Sequence, residues 1–557
     1  FGSRKTSIDF TLSVVSMQLA AISCGPVEES ETPLHPGQKD VPKLLRQLTN
    51  GVHAHLTTPN ASYSGSDVEK EIEQEFVRFK RTQSGAAPRV AILLSGTRGD
   101  HQPQIPLALG LQARGMEVRV FAKETFRPMF AKFDVDMEGL PGVDYEQIFT
   151  DPSVRSGLAS GQPMLTNLAI NHILETTYDE TGCLDCIIEG LRKFRPSIIL
   201  WHMCLVVEAI VAWNLFKIPS VCLAMFPYAP TRHIPCFALC PKWTGSLVGG
   251  FGVKQTHKML WKNFYLLGKG KMKRHVWDTY KIGIKGRDIF DRYGSSKWPM
   301  LCCWSPALGP RPDDYHEGVV GPIGFLRLSD SAQSSNFSLP DGLEDFVKSA
   351  PRDRLAFISW GSMGSGSDEG LTSLAVGALK VAGAKGVVQG GYSDLQLSKL
   401  RDDGLKSYAS ENVYFIPKGA SIPHNWLFPH CGVCVHHGGI GTLAACLYAG
   451  TPSVVTPVFV DQFYWATRTQ QNKTGLYGPY LASASKRTLG ACIKKCLDDL
   501  TAGGEMAANA KALGETMRAE DGVSQAVAFI ENIIPDGTMS FFMKDPAQTA
   551  DSVGSAS

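Results

Sequence analysis

Two doubly wound α/β domains in tandem, each built on a parallel sheet, are what this sequence predicts. Three observations carry the prediction. Short apolar runs of strand length fall into two sets, each run is followed by a glycine-bearing turn and a helical pattern, and a Pro-rich polar stretch from Pro306 to Pro340 divides the sets. A chain of 557 residues also exceeds one ordinary core, which fits two domains with tails.

Residues 1–86 are rich in Ser, Gly, Pro and charge, with one helical pattern from Asp67 to Thr82, and read as a poorly ordered extension. A first domain is expected over 87–320. It opens on Val90 to Leu94, an unbroken apolar run of the kind a parallel strand buried on both faces requires. A helix from Gln104 to Arg114 follows, stopped by Gly115, and then a strand at Val118 to Ala122. The unit recurs as strand Ser197 to Leu200, helix Val206 to Leu215 and strand Ser220 to Leu223. A linker is expected over 321–350 and a second domain over 351–537, with strands at Arg354 to Ser359, Gly386 to Val388, Val413 to Phe415, Gly432 to Val435 and Ser453 to Thr456. One helical pattern, Glu505 to Ile533, should close it, and residues 538–557 read as a disordered tail.

Composition narrows the function. Hydrophobic content of 43% with 19% charged residues describes an ordinary globular protein, and a formal charge of +2 makes no electrostatic case for nucleic acid. Fourteen cysteines spread over this length do not form a small disulfide framework; reduced thiols and a cytoplasmic setting are expected. The pairs Cys183/Cys186 and Cys431/Cys434 have zinc-ligand spacing, but Cys434 sits in an apolar strand pattern, and no metal is expected. A chain that begins at Phe1 is expected to be a fragment or processed product, so a true targeting signal would be missing. The stretch Phe10 to Ile22 after Arg4 and Lys5 is interrupted by Ser13, Ser16 and Gln18, which weakens a signal-peptide reading. The most apolar run, Ile198 to Trp213, contains His202 and Glu208 and is too short to span a bilayer. Lys254 to Trp277 mixes Lys and Arg with Trp, Phe, Tyr and Leu and lacks acids; peripheral membrane contact is expected there, with a solvated amphipathic helix giving the same pattern.

The chemistry concentrates between Asn425 and Gly475. Strand Cys431 to Val435 runs into His436-His437-Gly438-Gly439-Ile440-Gly441-Thr442 and then a helix with small residues on one side. Glycines between a strand and a helix let backbone N–H groups approach an anion, the helix N-terminus adds partial positive charge, and His437 adds a side-chain donor. The next strand delivers Asp461-Gln462 to the C-terminal edge of the sheet, where open α/β folds bind ligands. A diphosphate grip followed by a carboxylate–amide pair suits a nucleotide-sugar.

This stretch resembles the donor-binding signature of the UDP-glycosyltransferase superfamily, and most closely that of sterol 3-β-glucosyltransferases. The resemblance implies a GT-B fold, with two Rossmann-like domains facing across a cleft and the last helix crossing back to the first domain. It implies that His437, Gly439, Gly441 and Thr442 contact the diphosphate and that Asp461 and Gln462 hold glucose hydroxyls, with galactose the alternative hexose. The interval from His437 to Asp461 matches the family spacing. Plant enzymes of the superfamily carry a ribose-binding Glu where this chain has Ala445, a departure that favours the sterol branch and leaves ribose recognition unassigned. Ser362, after the first strand of the second domain, resembles the family's Gly-Ser loop beside the diphosphate; Trp426 lies where uracil-facing residues occur, with a core role the competing reading.

The first strand ends in Ser95-Gly96-Thr97-Arg98-Gly99-Asp100-His101, which also matches the sterol branch and related antibiotic glycosyltransferases. There the Asp at the position of Asp100 acts as general base, and Gly99 belongs to the same turn on the donor side. A carboxylate in this loop can take the proton of an acceptor hydroxyl as its oxygen attacks the anomeric carbon. Two other readings stand beside it: Asp100 as a helix cap, and His101 as the base. Met225 to Thr231 resembles the family's acceptor segment, which places Tyr228 and Thr231 at an acceptor pocket. The implied reaction is inverting transfer of glucose from UDP-glucose, a co-substrate, to the 3-hydroxyl of a sterol, without metal or other cofactor. Alternatives are the same donor chemistry on a macrolide, flavonoid or glycolipid, and a catalytically silent nucleotide-sugar or sterol-binding protein. A dinucleotide oxidoreductase ranks low, since the Asp100 carboxylate would face pyrophosphate.

Overall fold

A computed structural model describes residues 87–177, 179–234, 253–257, 270–284, 299–328, 338–420 and 422–536. The expectations for 1–86, for the tail beyond 536 and for the centre of the basic-aromatic stretch lie outside these residues.

The first sheet holds β1 (Arg89–Leu93), β2 (Glu117–Lys123), β3 (Asp136–Leu140), β4 (Ile198–His202), β5 (Ser220–Ala224), β6 (Met300–Cys302) and β7 (Val319–Val320), all parallel, in the order β3-β2-β1-β4-β5-β6-β7. The second holds β8 (Leu355–Ser359), β9 (Lys385–Gln389), β10 (Val413–Phe415), β11 (Val433–His436), β12 (Ser453–Val455) and β13 (Gly475–Tyr477), again parallel, in the order β10-β9-β8-β11-β12-β13. In both sheets the winding reverses between two central strands: β1 and β4 in the first, β8 and β11 in the second. Crevices outside the carboxyl ends of such strand pairs are where doubly wound folds place ligands.

Burial explains why these runs became strands. Val90, Ala91, Ile92 and Leu93 are wholly buried, as are Val433, Cys434 and Val435, because helices cover both faces of each sheet. Four strands escaped the apolar-run criterion: β3, β6, β7 and β13 are short, lie toward sheet edges, or carry polar residues such as Asp136 and Glu138. The stretch read as a linker is folded at both ends. Ile323 and Leu326 join the core of the first domain, while Leu343 and Val347, from helix Leu343–Lys348, join that of the second.

The long terminal helical pattern is two helices, Glu505–Arg518 and Gly522–Asp536, broken at Ala519 to Asp521. The break redirects the chain to the first domain, where Ala526, Val527 and Ile530 pack with Leu107, Ala108 and Leu111 of helix Gln104–Ala113. Glu520 in the break accepts a hydrogen bond from Ser305 Oγ at 2.8 Å. A further tie joins Arg155 to Asp368 at 2.7 Å. Among the described residues no helix is long and apolar enough to cross a membrane.

Candidate active site

The acceptor-side loop follows β1. Arg98–His101 form one helical turn whose N-cap is Thr97. Asp100 folds back over this turn: Oδ2 accepts from the Thr97 N–H at 2.7 Å and from Thr97 Oγ1 at 3.3 Å. Asp100 thus closes the capping box of its own turn, while the following helix starts after Pro103 without a side-chain cap; the contact occupies only one carboxylate oxygen. The other, Oδ1, lies 3.3 Å from His202 Nε2, and the Asp100 side chain keeps 26% of its exposure. Gly96 (φ +131°) is glycine for this reason, since a Cβ there would meet Asp100 Oδ2 at 2.2 Å. Burial pushes the Asp100 pKa up, but hydrogen bonding and charge from His202 outweigh it, so the carboxyl titrates below its ordinary value.

His101, the rival base, is buried, stacked on Phe126 with ring centroids 3.8 Å apart, and held at Nδ1 by the Thr97 carbonyl at 2.8 Å. Burial pulls its pKa down to about 4, which keeps it neutral inside the domain. His202 is the residue that sequence reading missed. It ends β4, adjacent to β1 in the sheet, and only that strand order brings it to Asp100. The available signal was a histidine closing a wholly apolar strand.

The hydroxyls of Tyr228 and Thr231, expected at an acceptor pocket, are engaged within the protein. Tyr228 is buried with its hydroxyl 2.7 Å from Cys222 Sγ, and Thr231 is wholly buried with Oγ1 donating to Asp314 Oδ1 at 2.5 Å. Both hydroxyls anchor the loop after β5, because a buried hydroxyl must find a protein partner.

The donor-side loop follows β11. His437 lies between two glycines: a Cβ on Gly361, after β8, would come within 2.9 Å of its ring, and one on Gly439 within 2.6 Å. These glycines let the turns after β8 and β11 close around one imidazole. Its Nδ1 is buried without a hydrogen-bond partner, and burial lowers its pKa to about 3. A neutral imidazole with an unmet polar atom is a site prepared for a ligand group. Helix Ile440–Tyr448 begins beside it with Gly439 as N-cap, so Gly441 and Thr442 lie in its first turn, and Gly441 is exposed with open space around it. Ser362 is half-buried in the turn after β8, next to Gly361. Gly99 is exposed on the facing loop. Trp426, on the single turn His424–Leu427, packs against the core beneath Phe428 and tilts against His430 at 5.6 Å.

Asp461 and Gln462 start helix Gln462–Gln471. Gln462 Oε1 accepts from the N–H groups of Val458 and Phe459, at 2.8 and 2.9 Å, which commits the carbonyl end and leaves the amide nitrogen as the group to offer a ligand. Asp461 Oδ2 accepts from Trp465 Nε1 at 2.8 Å. Burial raises the Asp461 pKa to about 7, with the charge of Asp100 adding to the rise. The Asp100 charge thus reaches Asp461. A Cβ on Gly438 would sit 3.2 Å from Gln462 Cβ, so the sugar-side pair abuts the His437 turn. Tyr392, whose N–H donates to the Gly361 carbonyl at 3.0 Å, also feels Asp100.

Cysteines among the described residues are free thiols. Cys183 hydrogen-bonds the Pro141 carbonyl and Cys431 that of Leu427, and neither C-x-x-C pair joins a cluster able to hold an ion. Among the described residues that geometry occurs at His233, Asp313 and Asp314, where Thr231 and the Arg232 N–H already bind Asp314.

Two parallel sheets in tandem, with a glycine-framed imidazole after a strand of one and a clamped carboxylate after a strand of the other, make a GT-B fold. Solved structures share it: the glycotransferase of kitacinnamycin (TM-score 0.54, 18% identity, covering 81% of this chain and 100% of that one) and a UDP-glucosyltransferase from Polygonum tinctorium (TM-score 0.54, 15% identity, 81% and 99%). Residues 405–529 match the family model for the C-terminal domain of erythromycin biosynthesis protein CIII-like proteins. Along most of its length the chain is similar to sterol 3-beta-glucosyltransferases, as the motifs implied. It is 27% identical to that of Emericella nidulans over 445 residues, 79% of this chain and 30% of the relative. It is 26% identical to that of Komagataella phaffii over 487 residues, 86% and 37%. The chain thus spans about a third of the length of the relatives it matches.

Proposed function

We propose that this chain is an inverting glycosyltransferase that moves glucose from UDP-glucose to the 3-hydroxyl of a sterol, giving a steryl β-glucoside. One juxtaposition supports this most: a clamped, ionised Asp100 within electrostatic reach of Asp461, which adjoins the His437 cradle. The sterol oxygen attacks the anomeric carbon from the face opposite UDP while its proton passes to Asp100. Asp461 accepts and Gln462 donates hydrogen bonds to sugar hydroxyls. Charge developing on the departing diphosphate is met by His437, Ser362 and the first-turn amides near Gly439, Gly441 and Thr442. These groups do what a metal does elsewhere, so transfer should survive EDTA.

Peripheral contact with an anionic membrane belongs to the same proposal. Helix Gly270–Tyr280 buries Met272 and Val276 in the first domain and leaves Lys271 and Arg274 exposed. The test is incubation with labelled UDP-glucose and a panel of sterols and other alcohols. Labelled steryl glucoside is the expected product. UDP-glucose binding without transfer to any alcohol would overturn the enzyme reading, and transfer confined to non-sterol alcohols would overturn the acceptor.

A further inference from the structure

Asp100 is held by two elements far apart in sequence. The Thr97 turn fixes Oδ2; β4 brings His202 Nε2 to 3.3 Å from Oδ1. The His202 side chain keeps only 6% of its exposure and lies against the Cys204 sulfur as well as Asp100. Burying a polar ring at a strand end is costly unless the residue gains polar partners. Here the gain is the contact with Asp100, the one group of the proposed reaction that must change protonation.

We propose that His202 is a positioning residue for the transfer: its imidazolium pins the Asp100 carboxylate and supplies the counter-charge that keeps it ready to accept a proton. This rests on Asp100 being the base. Oδ2 already accepts from both Thr97 donors, but Oδ1 has a lone-pair direction left beside His202, so a hydroxyl can still approach there while the carboxyl group cannot rotate away.

Electrostatics support the assignment. Burial disfavours a charged His202, but the Cys204 sulfur and the Asp100 carboxylate outweigh it and raise the imidazole pKa to about 10. Burial is also the strongest influence on Asp100 and acts to raise its pKa. Removing the cation therefore leaves a desolvated carboxylate that takes up a proton at higher pH. The other titratable groups facing this pair are His101 on its own turn, Cys204 after β4, and Tyr392 and Asp461 from the second domain. Asp461 titrates near neutrality, so its effect must be separated; acting on sugar binding, it belongs in the donor KM rather than in kcat at saturating donor.

The experiment measures kcat at saturating UDP-glucose from pH 3 to 9 for the wild type, His202→Gln, which can keep the hydrogen bond without the charge, and His202→Leu, which keeps neither. In His202→Gln the acid limb should move upward by about one pH unit, with kcat about tenfold down on the limb itself, below the ordinary carboxyl value of 3.8, and near wild type from pH 7 upward. His202→Leu should lose kcat at every pH, since the carboxylate is also unclamped. Unchanged limb positions in a folded His202→Gln, or a loss uniform in pH, would overturn the counter-charge role. Asp100→Ala separates the two readings: if it retains transfer, the base assignment fails; if it is inactive while His202→Gln shows no shifted limb, only the role of His202 fails.

Discussion

The two loops that meet across the cleft are made of opposite materials. On the acceptor side the turn after β1 offers a charged side chain, and its neighbours exist to hold that charge: Thr97 on one oxygen, His202 on the other, Gly96 making room. On the donor side the turn after β11 offers backbone and a neutral ring, with Gly361 and Gly439 allowing the close approach. In the proposed reaction the difference follows from what each would do. A proton acceptor needs a full charge in one place, whereas a leaving diphosphate needs several weak donors spread along its length.

Breaking the acceptor side should have the largest effect. Asp100→Asn is expected to lower transfer by ~10²–10⁴-fold while leaving UDP-glucose affinity unchanged by calorimetry. On the donor side, His437→Ala should raise the barrier by about 3 kcal/mol, with UDP binding also weakened. Gly439→Ala should weaken UDP binding by about tenfold without replacing any donor side chain, because the new methyl displaces the His437 ring it abuts; full affinity in that variant would show that the cradle tolerates looser geometry.

A gentler probe uses Asp461. Held protonated up to about pH 7 by burial, it should accept sugar hydroxyls better as pH rises, so the donor KM should fall between pH 6 and 8 and the trend should vanish in Asp461→Asn. The stability sign is the reverse. The unfolded carboxyl ionises near its ordinary value of 3.8, so the folded state loses stability as pH rises from there to about 7. Denaturant titrations should find Asp461→Asn more favourable relative to wild type at pH 8 than at pH 5. The smallest effect belongs to the tie between domains. Arg155→Ala removes a partly exposed ion pair with Asp368 and should cost no more than about 1 kcal/mol in a denaturant melt.

Much of this was legible before any coordinates. The buried strands β1, β8 and β11 announce themselves as unbroken apolar runs, and the glycine turns after them mark where a ligand would sit. What failed did so for identifiable reasons. The pattern from Glu505 to Ile533 keeps helical periodicity across a break that only the return to the first domain requires. The partners of the Tyr228 and Thr231 hydroxyls, Cys222 and Asp314, are likewise beyond any local pattern. Asp100 looked like either the cap of the following helix or a base because the local motif is the same for both; it closes the capping box of its own turn through Oδ2, while Oδ1 faces His202.

By itself the chain determined its two parallel sheets, the turns that carry its chemistry and the residue types placed there, because periodicity and glycine spacing record local burial and backbone reach. Tertiary structure alone decided which turns face each other, that His202 partners Asp100, and that Gln462 turns its carbonyl toward the backbone. Strand order sets those neighbours, and strand order joins residues about a hundred positions apart through packing that no local pattern encodes.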